Sequence, residues 1–190
     1  MSATLAVIPQ LVLKSRSQIQ VKAMAVVGGA LALALLAQIS IPLPWTPVRI
    51  TGQTFGVALM ALLWGRRLGV ATFATYVLFG ALGAPVFSSG NSLFQLGATA
   101  GYLVGMGFSA WFVGTLADRG WTRSFPRAFL AASAGSCLVF SFGLMGLAFF
   151  VPLEGLLWAG LVPFLPGDIL KNLMAAGIAS QLSRTATQTT

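Results

Sequence analysis

The chain has 190 residues, 57% of them hydrophobic and 7% charged, with 11 Lys and Arg against 3 acids, no His and a formal net charge of +8. A soluble domain carries roughly a quarter charged residues, so this composition excludes one and points to an all-α membrane protein. The missing histidine removes the commonest metal ligand and the commonest neutral-pH general base, and the basic residues fall in short clusters between apolar runs rather than in the stripe that nucleic acid requires.

A helix needs about 20 apolar residues to cross a bilayer. The first such run, AMAVVGGALALALLAQISI at 23–41, ends where Pro42, Pro44 and Pro47 break any helix. Lys14, Arg16 and Lys22 ahead of it also fit a secretory signal peptide, but the apolar core continues past any cleavage site, and a retained helix is expected. GQTFGVALMALLWG at 52–65 is short for a crossing, and Arg66 and Arg67 follow at once. A charge-free stretch then holds two spans, at about 68–82 and 98–117, separated by the polar, glycine-rich APVFSSGNSLFQLGA. Asp118, Arg119, Arg123 and Arg127 form the next loop, and a fifth span is expected at about 128–150. Residues 151–165 hold Pro152, Glu154 and Pro163 and read as an outer connector with a short interfacial helix carrying Trp158. The last span runs from Pro166 to about 182.

This makes a single six-helix membrane domain. All the basic residues except Arg49 and Lys171 fall in the N-terminal segment, the two basic loops or the C-terminus, and the positive-inside rule makes those faces and both termini cytoplasmic. A bacterial cytoplasmic membrane is the expected location. Cys137, the sole cysteine, is expected to be a packing residue.

Asp168 and Lys171, in PFLPGDILKNL, stand three residues apart on one face of the last helix, at its outer end. An aspartate is favoured in the first turn, and the pair also reads as a simple ion pair. A lysine inside a span is costly, however, and points to a cavity or pathway. Free N–H groups at this helix start suit a ligand carboxylate. Thr51, Gln53, Asn91 and Gln95 lie at the same depth and supply amides and hydroxyls. Gly97, Gly101, Gly105 and Ser109 form a small-residue stripe for close helix packing, and Ala30 and Ala34 form a smaller one. No phosphate-binding loop or metal-ligand motif occurs. No cofactor, bound ATP or enzymatic activity is therefore expected. A ligand-binding transport component and a ligand-free assembly subunit both fit these residues.

The motifs ITGQTFGV (50–57), GALGAPVFSSG (80–90), GATAGYLVG (97–105), ADRGW (117–121) and PFLPGDILKNLMAA (163–176) together resemble the BioY family, the biotin-binding S components of energy-coupling factor (ECF) transporters. The resemblance spans nearly the whole chain. It departs from the family pattern where Ala98 and Ala100 replace a proline and a glycine, beside Thr99, Gly101 and Tyr102. It implies a six-helix bundle that takes up biotin from outside, assisted by a transmembrane coupling (T) protein and two ATPase subunits. Asp168 and Lys171 would contact biotin, with Asn91 as the matching outer-loop asparagine, and Ala30 and Ala34 would face the coupling protein. Phe87, Tyr102 and Trp158 are expected to cover the apolar body of the ligand. Self-association is left open by the sequence.

Overall fold

A computed structural model describes residues 18–188; Lys14 and Arg16 of the N-terminal basic cluster lie outside the described residues. Helix α1 spans Gln18–Gln38, α2 Gln53–Ala81, α3 Ala100–Asp118, α4 Phe125–Leu147, α5 Leu156–Gly160 and α6 Leu165–Gln188. Among the described residues, five helices are long and apolar enough to cross a membrane, the short α5 being absorbed into the last of them.

α2 is not one rod. Gly65 has φ 73° and ψ −175°, a region essentially reserved for glycine, and it falls between the two runs expected as separate spans. A β-carbon at Gly69 would stand 3.2 Å from the Cα of Ala61, whereas eight residues of straight helix extend about 12 Å. The chain therefore reverses at Gly65, and α2 is a helical hairpin. The Asp118 carboxylate accepts from the Arg66 N–H at 3.1 Å, a negative group at the start of the second arm, where the helix dipole favours it. The end of α3 presses on the same turn, since a β-carbon at Gly114 would lie 2.6 Å from the Arg66 Cα.

The small-residue stripe on α3 packs against α4. Gly101 faces Gly146 and the Phe142 carbonyl, Gly105 faces Val139, and Ser109 meets Gly135. Gly97 stands apart: its φ is 47° and nothing lies near its missing side chain, so it serves a turn and not the packing stripe. On the other side, α1 lies against α2, with the Trp64 indole seated over Gly29 and with Leu33 and Leu36 over Gly56. Ala30 and Leu33 enter the main core with Tyr76, Phe87 and Tyr102, while Ala58, Ala61, Ala131, Ala175 and Ala179 make a second core of small side chains at the α2–α4–α6 contact.

The boundaries differ modestly from expectation. α1 ends at Gln38, and Ser40–Ile41 (β1) pairs antiparallel with Ile50–Thr51 (β2), closing the proline-rich loop into a hairpin that no apolar run announces. α4 starts three residues early, at Phe125, because Pro126 suits its first turn. α6 starts at Leu165 and continues to Gln188, beyond the expected end, because polar residues past the apolar run propagate an established helix. Cys137 is exposed on α4, which corrects the expectation that it packs in the interior.

Candidate functional site

One cavity of about 370 Å³ opens between the β1–β2 loop, the start of α2, the loop before α3, and the first turns of α6. Its size falls inside the roughly 300–1,000 Å³ typical of small-molecule sites. Phe87, Tyr102, Met106, Val139 and Phe164 supply apolar wall, and Asp168 and Lys171 face it together.

The two charged side chains serve opposite walls. Asp168 is buried, at 8% exposure. It accepts from the Ser136 hydroxyl on α4 at 2.9 Å and from the Asn172 amide one turn further along α6 at 2.9 Å. Lys171 reaches across to β2 and the start of α2, where its Nζ donates to the Thr51 carbonyl at 2.8 Å and to Thr54 Oγ1 at 3.4 Å. No hydrogen bond or ion pair joins Asp168 to Lys171 among the described residues, so the simple ion-pair reading is corrected. An ammonium has three protons, and two of those on Lys171 have protein acceptors.

The Thr51 carbonyl is presented by the β1–β2 ladder. The Thr51 hydroxyl donates to Gln53 Oε1 at 3.1 Å, Gln53 Nε2 donates to the Tyr76 hydroxyl at 2.6 Å, and Tyr76 donates to the Val86 carbonyl at 3.1 Å. Gln53 lines the cavity but is 7% exposed, and its amide oxygen and nitrogen both have protein partners. It braces the wall through these two bonds. Tyr102 contributes its ring, since its hydroxyl donates to the Gly160 carbonyl at 2.7 Å. The Gln95 side chain closes a capping box with Ser92.

Asn91 lines the cavity half-buried, and its side-chain amide makes no hydrogen bond among the described residues. Its backbone carbonyl accepts from the Phe87 N–H at 3.0 Å, and the Phe87 ring is wedged over Gly80. Gln38, the last residue of α1, ties down the same loop: its Nε2 donates to the Phe87 carbonyl at 3.0 Å, and its Oε1 accepts from the Gly90 N–H at 3.2 Å. From the other side Thr46 Oγ1 donates to the Ala159 carbonyl at 2.6 Å, joining the β1–β2 loop to α5. Arg49 of the same loop is exposed at the cavity rim. Trp158 is 68% exposed and does not line the cavity, which corrects its expected part in covering a ligand.

Ala30 has no exposed surface and Ala34 packs on the same core cluster. Ala34 is half-buried, and both residues contribute to the contact between α1 and the rest of the bundle. Sequence reasoning missed Ser136, Asn172 and Thr54. Asn172 is one turn from Asp168, a spacing that places it on the same face; Thr54 adjoins a flagged residue; Ser136, 32 positions from Asp168, carries no local signal.

Residues 11–188 match the model of the BioY family. The chain is 38% identical over 151 residues to the "Biotin transporter BioY" of Thermotoga maritima, covering 78% of this chain and 87% of that one. It is 36% identical over 159 residues to the "Biotin transporter BioY" of Rhizobium etli, covering 76% and 82%. Its fold matches a crystal structure of the S-component for biotin from an ECF-type ABC transporter with a TM-score of 0.81 at 23% identity, over 90% of this chain and 94% of the other.

Proposed function

The chain belongs to the BioY family, and on that premise we propose that it captures biotin at the outer side of the cytoplasmic membrane and acts as the substrate-specific component of an ECF-type transporter. The family is a transport component rather than an enzyme. The observation that carries the reading is the presence of Asp168 and Lys171 together on the wall of one cavity that also has apolar and aromatic lining.

Biotin presents two ureido N–H donors and one carbonyl acceptor on an otherwise apolar body with a carboxylate tail. Asp168 accepts from one ureido N–H. The third proton of Lys171 and the free amide of Asn91 donate to ligand oxygens, Phe87 and Tyr102 pack on the rings, and Arg49 at the rim pairs with the tail. The opposite orientation would bring the tail carboxylate against Asp168, which like-charge repulsion disfavours.

The topology we infer has six crossings, with each arm of the α2 hairpin spanning the bilayer once. Arg66, Arg67, Arg119, Arg123 and Arg127 mark the cytoplasmic face, with both termini on it, and α5 lies at the outer boundary with Trp158 in the headgroup layer. A coupling T protein and two ATPase subunits supply the energy, in keeping with the lack of a phosphate-binding loop in this sequence.

Calorimetric titration of the detergent-purified protein with biotin, dethiobiotin and riboflavin tests the reading. Saturable binding of biotin with no response to riboflavin supports it. A folded sample that binds none of the three overturns it in favour of a ligand-free assembly subunit.

A further inference from the structure

Behind the cavity wall lies a closed ring of three hydrogen bonds. Ser136 Oγ donates to Asp168 Oδ1, Asn172 Nδ2 donates to Asp168 Oδ2, and the same Asn172 nitrogen donates to Ser136 Oγ, each at 2.9 Å. Donor chemistry fixes every direction in it. An amide nitrogen only donates and a serine has a single proton, so the serine proton must go to the carboxylate and both amide protons are consumed. Asn172 is 3% exposed, and neither it nor Ser136 lines the cavity. Whatever they do for a ligand they do through Asp168.

Resting on the ligand-binding reading above, we propose that Ser136 and Asn172 are positioning residues that set the specificity of the site. Each carboxylate oxygen is held by one donor from behind, so the carboxylate cannot rotate, and the lone pairs left toward the cavity form two fixed acceptors side by side. That pattern selects ligands that present an N–H or O–H donor to the carboxylate, as one ureido N–H does, over ligands that present a carbonyl or a second carboxylate. The ring also joins α4 to α6, and a purely structural role as interhelical glue makes a different prediction.

The experiment is a double-mutant cycle on the full chain in detergent, read by calorimetric titration with biotin. Asp168→Asn weakens binding about 100-fold, as expected for loss of a charged acceptor, and Ser136→Ala or Asn172→Leu weakens it about tenfold. In the Asp168→Asn background Ser136→Ala changes affinity by less than about twofold, because coupled residues are non-additive. Ser136→Thr, which keeps the hydroxyl, stays within about threefold of wild type. If Asp168→Asn leaves too little binding to complete the cycle, the contrast between Ser136→Thr and Ser136→Ala decides. Equal losses in both backgrounds, equal losses for Thr and Ala, or wild-type affinity in Ser136→Ala and Asn172→Leu overturn the proposal. Wild-type affinity in Asp168→Asn would instead refute the ligand-binding reading on which it rests.

Discussion

Asp168 and Lys171 stand less than one turn apart on α6, yet the carboxylate is held by Ser136 and Asn172 while the ammonium reaches 2.8 Å to the carbonyl of Thr51 on the opposite wall. Two charges that neutralised each other would leave nothing for a ligand. Held apart by separate partners, they present an acceptor and a donor to the same cavity.

Lys171→Ala removes that donor and leaves the Thr51 carbonyl without its partner. Biotin affinity is expected to fall about 100-fold or more, in line with about 2–5 kcal/mol for losing a buried charged hydrogen bond. Titration of a variant that elutes as a folded species checks this, and wild-type affinity would remove Lys171 from the site.

Gln53→Leu separates bracing from direct contact. It removes the donor to the Tyr76 hydroxyl and the acceptor for the Thr51 hydroxyl, so stability is expected to drop by about 1–3 kcal/mol, seen as a lower melting temperature in detergent without ligand. A variant with unchanged melting and lost affinity would instead make Gln53 a ligand contact.

Gly65→Ala puts a side chain where φ is 73° and ψ −175°. Strain of about 1–3 kcal/mol is expected, as reduced thermal stability and reduced yield of folded protein. Gly28→Ala is the control, since nothing lies within 4 Å of its missing side chain.

Gly105→Val forces α3 away from α4, because even a β-carbon at this position would lie 2.7 Å from the Val139 Cα. The cost is expected to reach or exceed the roughly 1–3 kcal/mol of core overpacking, since the obstacle is backbone. Loss of the monodisperse species on size-exclusion chromatography is the measurement.

Long-range pairing separates what could be read in the sequence from what could not. Apolar length locates α1, α3, α4 and α6 to within about six residues at each end, since bilayer thickness dictates helix length. Arg66 and Arg67 marked the reversal at Gly65 because charges must leave the hydrocarbon. Lys171 was legible as a site residue because its cost demanded a reason. The bracing role of Gln53 was not legible because its partner, Tyr76, is 23 residues away; a buried polar group looks available until its partner is located. Ser136 was invisible for the same reason, and the β1–β2 pairing because two-residue strands leave no periodic pattern.

Gln38 carries a final chemical lesson about residue choice. It reads two backbone groups of one loop simultaneously, the Phe87 oxygen with its nitrogen end and the Gly90 hydrogen with its oxygen end. A primary amide has that dual polarity at fixed spacing. A glutamate in its place would satisfy Gly90 and repel the Phe87 oxygen, and a lysine would do the reverse. The amide thus works as a two-pronged key cut for one loop conformation, and it binds the roof of the cavity to the end of the first helix.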